Sequence, residues 1–442
     1  MKRTAIITGA MLMLAQHVSA QDTLRLTAGE AARLAARNNA AVIGARYRVE
    51  EAKARVAMQR SALLPQISAS ASRTGHTLNT ATFGLDFPSP PGEPPLFDPN
   101  GEVIGPIELS DVRGRLSQTL FDWSALERLR STRAAFTAAE AQEQAAEETA
   151  ARAAANAYVQ ALRAQEVYQS RQADIELAHD LVRIAEEQLA GGTGVRLDVT
   201  RAQAQEAALN AQLVAARNAA ERANLTLVRA LGVPSDTRLV TTDTLPGLPT
   251  KPDAEAAISA AMARRAELRA VDAQIHASEM QTSALRSERL PKLSFVGDDG
   301  FIGNGWDHML HTYDWGLQVS VPLFSGLRTR AQVQEQRAQT GELEAKRRDL
   351  REQVEFEVRS ALLDLTAGAE LVDAAGARLR LAEQEVSDAR ARFESGVAGS
   401  ADVVTASLRL TEARTAYTDA LVQYQTARVA LAAAQGIVTE LP

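Results

Sequence analysis

The 442-residue chain contains no cysteine. That excludes a disulfide framework, a thiol nucleophile, Cys-ligated zinc and an N-terminal lipoprotein anchor. Beyond the first twenty residues there is no run of eighteen apolar residues, so no helix is expected to span a bilayer. A basic excess is missing too. The formal net charge is −7, which gives no electrostatic footprint for nucleic acid. Neither an HExxH motif nor a Walker A lysine motif occurs. Gly300, Gly303 and Gly305 look like a nucleotide loop only superficially, because they do not open a helix. His308 and His311 are the only closely spaced histidines and have no usual third ligand nearby, so no metal centre is expected. No catalytic constellation emerges. The chain reads as a non-enzyme without a cofactor, which must draw any energy from a partner.

What is present begins with an export signal. Lys2 and Arg3 form a basic start, Ala5 to Ala15 is mostly apolar, and Val18-Ser19-Ala20 places small residues where signal peptidase cuts. Cleavage is expected after Ala20, with Gln21 as the mature start. An exported chain of this kind is periplasmic, secreted or a barrel protein, and composition alone does not choose.

Proline is absent between Pro106 and Pro234, and again between Pro322 and Pro442. These stretches are rich in Ala, Glu, Gln and Arg, good helix formers, whereas an interior proline costs roughly 3 kcal/mol. Each is interrupted once by glycines, at Gly191-Gly192-Thr193-Gly194 and at Gly396-Val397-Ala398-Gly399, which predicts two helical hairpins. The hairpins are copies. A shift of 204 residues aligns Leu189, Gly192 and Asp198-Val199 with Phe393, Gly396 and Asp402-Val403. Upstream, Leu64-Pro65 matches Leu290-Pro291 at a shift of 226, so the mature chain is a tandem duplication.

Ahead of each hairpin the period changes. Ile67 to Ser72 and Trp315 to Val321 alternate apolar and polar residues, the mark of strands with two different faces. Four strands are predicted, about 66–75, 109–120, 292–302 and 312–323, each near the ten residues that a tilted barrel strand needs. Four strands cannot close a membrane barrel, and open edges in lipid leave backbone groups unpaired. If the strands lie in a membrane, chains must join, and three copies supply twelve. In the last helix Val403, Ala406, Leu410, Ala413, Tyr417, Ala420, Tyr424, Ala427 and Leu431 repeat every 3.5 residues, a coiled-coil seam. Its counterpart from Val199 to Leu227 is broken only by Glu206.

These residues resemble the TolC-type outer-membrane efflux proteins. Leu26-Thr27-x-x-Glu30-Ala31-x-x-Leu34-Ala35-x-x-Asn38-Asn39 is similar to that family's mature N-terminus. Leu63-Leu64-Pro65-Gln66-Ile67 resembles its helix-to-strand exit, and Val321-Pro322-Leu323-Phe324-Ser325-Gly326 its strand-to-helix return. The resemblance covers nearly all of residues 22–437. It implies a mainly α fold with a small β part: tandem long helical hairpins forming an α-barrel, and four strands per chain contributing to a trimeric 12-stranded transmembrane β-barrel. The expected divisions are a signal peptide (1–20), N-terminal periplasmic helices (21–65), strands 1 and 2 with a surface loop (66–121), the first hairpin (122–233), a linker (234–252), periplasmic helices of the second repeat (253–291), strands 3 and 4 (292–323), the second hairpin (324–437) and a tail (438–442).

The function implied is a passive homotrimeric conduit in the outer membrane, with its helical tunnel in the periplasm. It carries substrates of a tripartite efflux or type I secretion system from an adaptor and an inner-membrane transporter. A periplasmic adaptor would typically have one hairpin inserted in a lipoyl-like β-domain, a coiled-coil scaffold has no reason to carry strand pairs, and a hydrolase would need a catalytic set.

The resemblance also nominates residues. Asp402 matches an acidic position that lines and constricts the tunnel's inner aperture in relatives, and Asp198 is its counterpart. Rings of three carboxylates would favour cations; the alternative is that each Asp starts its helix through the dipole. The family's second acid, one turn on, is Thr405 here, and its arginine two residues after the second tip glycine is Ala398. Gly192, Gly194, Arg196, Gly396 and Gly399 are the expected tip and adaptor-docking residues. Trp123 and Trp315, in or beside the strands, are the expected contacts with outer-membrane lipid at the bilayer interface.

Overall fold

The computed structural model describes residues 24–83, 101–242 and 253–441. The expected signal peptide, the loop from Phe87 to Asp98 and residues 243–252 of the expected linker lie outside them. In chain order the described residues form β1 (Leu24–Leu26), α1 (Ala28–Asn38), α2 (Ala40–Ser61), β2 (Gln66–Asn79), β3 (Val103–Asp122), α3 (Trp123–Ala190) and α4 (Arg196–Leu231). Then follow β4 (Leu239–Thr241), α5 (Ala254–Arg264), α6 (Ala266–Ser287), β5 (Lys292–Gly303), β6 (Met309–Ser320), α7 (Arg328–Glu394) and α8 (Ser400–Ala434). The chain divides into two compact units. One comprises Met1–Tyr47, Ala141–Ala270 and Arg348–Pro442; the other comprises Arg48–Glu140 and Val271–Arg347.

The second unit holds the four-stranded sheet. β2, β3, β5 and β6 form one antiparallel sheet in that order, leaving β2 and β6 as its edges. Residues directly opposite in the register share a face, because side chains alternate along each strand. Val112 pairs with Phe301, which pairs with His311; Leu116 pairs with Gly297, which pairs with Trp315. Ile67 of β2 joins that row through Leu116, and Tyr313, Leu317 and Val319 continue the same face along β6. On the other face Arg115 pairs with Asp298, which pairs with Asp314. Arg113 on that face donates to Asp298 at 2.9 Å and to Asp111 at 2.7 Å. The sheet therefore has one apolar face and one charged face. Its apolar side chains Ile67, Tyr313, Trp315, Leu317 and Val319 are all exposed in the chain.

Asp122 converts strand to helix. Its Oδ1 accepts from the Ala125 amide at 3.0 Å and from the Ser124 hydroxyl at 2.6 Å, the geometry of an N-cap. Its other oxygen lies 3.3 Å from the Lys292 ammonium at the start of β5, tying the helix start to the sheet.

The first unit packs helices through alanine. Ala31 and Ala35 of α1 meet Ala154, Tyr158 and Leu162 of α3 and Leu227 and Leu231 of α4. Val354, Val358, Leu362 and Leu365 of α7 meet Tyr424, Ala427 and Leu431 of α8. Small residues on one helix admit large ones from its neighbour, so backbones approach closely without voids. β1 and β4 pair in parallel, Leu24 with Leu239 through Leu26 with Thr241. The sequence predicts helices and linker there, because three-residue strands are too short to display a period.

The duplication reappears in the packing. Asn39 ends α1 and donates from Nδ2 to the Ala230 carbonyl at 3.0 Å, near the end of α4. Arg265 ends α5 in the second repeat and reaches the carbonyls of Ala433 and Ala434, at the end of α8. The guanidinium is buried, and its other contacts are Glu267 at 2.5 Å and Glu357 at 2.7 Å. Burial works against its charge, yet the two carboxylates outweigh that and raise its pKa above the ordinary arginine value. Replacing Arg265 by Met strands both carboxylates and the helix carbonyls. The Arg265→Met protein is expected to be less stable by about 3 kcal/mol, read as a lower denaturation midpoint; an unchanged midpoint would remove Arg265 from this packing scheme.

Candidate functional site

The two hairpin tips lie in the helical unit, and the same backbone chemistry builds both. α3 ends where the amides of Thr193 and Gly194 both bond to the Gln188 carbonyl at 3.0 Å. α7 ends where the amides of Val397 and Ala398 bond to the Arg392 carbonyl at 3.0 and 3.2 Å. These are the same bonds, 204 residues apart. Gly192 (φ 76°) and Gly396 (φ 72°) take the left-handed conformation that closes each helix, which a side chain would strain.

A shared core sits just behind the turns. Leu181, Ile184 and Ala185 of α3, Val199 and Ala202 of α4, Phe393 of α7 and Val403 of α8 form one buried cluster. Gln188 Nε2 donates to the Phe393 carbonyl at 2.7 Å, a direct bond from the first tip to the second. Arg390 donates to Asp180 at 3.3 Å. Farther along α3, the buried Asp174 accepts from Arg171 at 2.8 Å, Arg414 at 2.7 Å and Thr411 at 2.9 Å. Four of these five bonds join the first repeat to the second; the Arg171–Asp174 bond lies within α3.

Asp198 and Asp402 occupy equivalent positions, in the first turns of α4 and α8. Their surroundings differ. Asp198 is only 14% exposed, and its Oδ1 accepts from the Ser400 hydroxyl at 2.5 Å and the Ser400 amide at 3.2 Å. α8 begins at Ser400 after Gly399, whose lack of a side chain leaves the helix without a cap of its own. Asp198 supplies that cap from the other hairpin, where a carboxylate also meets the positive end of the helix dipole. Asp402 is exposed and, among the described residues, its carboxylate has no partner. Arg196 opens α4, exposed, after Val195, which makes no side-chain cap. Gly194 packs against Gln188 at the first turn, and Gly399 faces Asp198 Oδ1 across 3.8 Å of space measured from a Cβ placed on it. Ser400 carries no motif that marks it in the sequence. The signal available was its equivalence to Arg196 under the repeat shift.

The tryptophans belong to the other unit. Trp123 is the first residue of α3, directly after Asp122, with the Arg130 guanidinium 5.7 Å from its ring. Trp315 lies within β6 on the apolar face, opposite Gly297. His311 Nε2 is 2.5 Å from Asp299, and His308 Nδ1 is 3.0 Å from Asp307. Among the described residues no group of three or more His, Asp or Glu is arranged to hold a metal ion, and no helix is long and apolar enough to cross a membrane.

A family model described as outer membrane efflux protein matches residues 31–233 and 257–437. The outer membrane efflux protein BepC of Brucella suis biovar 1 is 26% identical over 379 residues, covering 82% of this chain and 75% of BepC. The alkaline protease secretion protein AprF of Pseudomonas aeruginosa is 25% identical over 343 residues, covering 74% of this chain and 69% of AprF. Among solved structures, the outer-membrane channel OprN superposes with a TM-score of 0.75 at 20% identity, over 92% of this chain and 89% of OprN. The Campylobacter jejuni CmeC outer membrane channel also gives 0.75, at 19% identity over 92% and 85%. These structures establish a common fold.

The cap itself is testable. Asp198→Ala is expected to weaken the start of α8 by about 1 kcal/mol, seen as faster hydrogen exchange at the amides of 400–404 with the rest of α8 unaffected. Unchanged exchange there would contradict the assignment of Asp198 as the cap.

Proposed function

Because this chain belongs to the outer membrane efflux protein family, we propose that three copies of it form one passive conduit through the outer membrane and periplasm. Its location in the outer membrane follows from the family, as does its membership among non-catalytic channels. The observation that carries the trimeric reading is the sheet of β2, β3, β5 and β6, which has two free edges, one apolar face and one charged face. In lipid such a sheet must close on partners, since no water is available to satisfy edge amides and carbonyls. Twelve strands from three chains give a barrel with lipid outside and a polar lumen within. The charged row of Arg113, Arg115, Asp298 and Asp314 faces that lumen, and Tyr313, Trp315, Leu317 and Val319 face lipid. Trp123, at the junction of strand and helix, sits at the bilayer interface.

The helical hairpins continue the lumen as a tunnel, with the divisions of the chain given above. Asp198 and Asp402 then stand at its inner mouth, and the tips at Gly192, Gly194, Arg196, Gly396 and Gly399 are the docking points for a periplasmic adaptor. An inner-membrane transporter supplies the energy, because the conduit has no catalytic machinery of its own. Relatives named for efflux and for protease secretion mark the two export classes such a channel serves. A periplasmic adaptor reading is set aside by the family match over both halves of the chain.

The test is the mass of the complex extracted in detergent from a purified outer-membrane fraction, corrected for bound detergent. Three chains per particle is the expected result. An extracted monomer would overturn the shared-barrel reading.

A further inference from the structure

The two tips share their sequence pattern and backbone bonds, but only one of the two possible tip contacts is made. Inside the chain, Asp198 of the first repeat holds Ser400 of the second. Under the 204-residue shift Asp198 corresponds to Asp402, and Ser400 corresponds to Arg196. The equivalent contact would join Asp402 to Arg196, and both of its halves stand unused. Asp402 is exposed, and among the described residues no charged or hydrogen-bonding group meets its carboxylate or the Arg196 guanidinium; Arg196 is exposed, and α4 has no side-chain cap. The face running from first hairpin to second is already spent within the chain. A contact running from second hairpin to first requires another chain.

A second observation points the same way. Val159 of α3 and Val429 of α8 lie in one buried cluster, 4% and 3% exposed, where the first repeat meets the second. Their equivalents are Leu363 of α7 and Leu225 of α4, which are 72% and 56% exposed. Large apolar side chains at both positions, each the counterpart of a buried one, are the uncovered halves of a matching interface. A head-to-tail interface of this kind closes into a ring when its rotation permits.

We propose that Asp402 of one chain caps α4 of the next subunit and pairs with that subunit's Arg196, with Leu363 seated against Leu225 farther along the same boundary. This rests on the ring of chains proposed above. The chemistry fits the substitution of Arg for Ser. The α4 amide and the helix dipole attract the carboxylate as α8 attracts Asp198, and the guanidinium adds a charged donor where the serine had a hydroxyl. The tip ring is thereby held by two alternating contacts. One is a neutral-donor cap inside each chain, and the other is a charged clasp between chains.

The absence of cysteine makes a direct test clean. Arg196→Cys/Asp402→Cys protein, oxidised mildly in outer membranes, is expected to give covalent dimers and trimers on a non-reducing gel that revert with reductant. Either single variant should give no such ladder. Asp198→Cys/Ser400→Cys is expected to close within one chain and stay monomeric on the gel. Failure of the Arg196/Asp402 pair to link, in a particle whose detergent mass is still three chains, would overturn the clasp and leave the conduit standing. A one-chain mass would overturn both. Charge exchange guards against a folding defect of the cysteine pair: Arg196→Asp and Asp402→Arg should each lower the temperature at which the oligomer dissociates, and the double exchange should restore it. Equal losses in the single and double variants would also overturn the clasp.

Discussion

The backbone amides and carbonyls at the edges of a small sheet constrain everything else in this protein. β2 and β6 each carry a row of polar groups with no strand partner among the described residues. In water such an edge is tolerable, though prone to pairing with others. In a hydrocarbon layer each unmet group costs several kcal/mol, so the strands are stable there only as part of a closed barrel. On the conduit reading proposed above, a chain that supplies four strands is incomplete by itself, and its helices follow the same rule.

The internal duplication expresses that incompleteness at every level. Both repeats end a short helix with a residue that reaches the carboxyl end of their own long return helix, Asn39 on Ala230 and Arg265 on Ala434. Both close their tips with the same backbone bonds. Where one repeat packs on the other, side chains are buried and polar groups are paired, as at Asp174 and Asp198. Where the equivalent surface has no repeat to meet, leucines and charges lie open. The buried seam of α8, with Val403, Ala406, Leu410, Ala413, Ala420, Tyr424, Ala427 and Leu431, contrasts with that of α4, where Leu213, Ala220 and Ala223 are only half-covered.

Much of this fold was legible in the sequence because its signals are long. Proline-free stretches and a 3.5-residue period run for dozens of residues, and α3 and α7 follow them. Short or locally balanced features were harder to read. β3 begins at Val103 rather than near 109, because Gly105-Pro106 looks like a loop. β6 covers Met309–Ser320 rather than 312–323, since Val321-Pro322-Leu323 prolongs the apolar alternation that Pro322 physically stops. β1 and β4 were missed altogether. At the candidate site, the repeat shift located Asp198 and Asp402, but periodicity could not say that one carboxylate is spent on Ser400 while the other is free. That difference arises from which repeat lies beside each tip, a tertiary fact.

The most direct test of the central claim is hydrogen exchange on the detergent-extracted protein, resolved along β2 and β6. The account predicts that amides on the outer edges of these two strands exchange as slowly as those of β3 and β5, because neighbouring chains pair them. Fast exchange along both edges, with β3 and β5 protected, would mean an open four-stranded sheet and would contradict it.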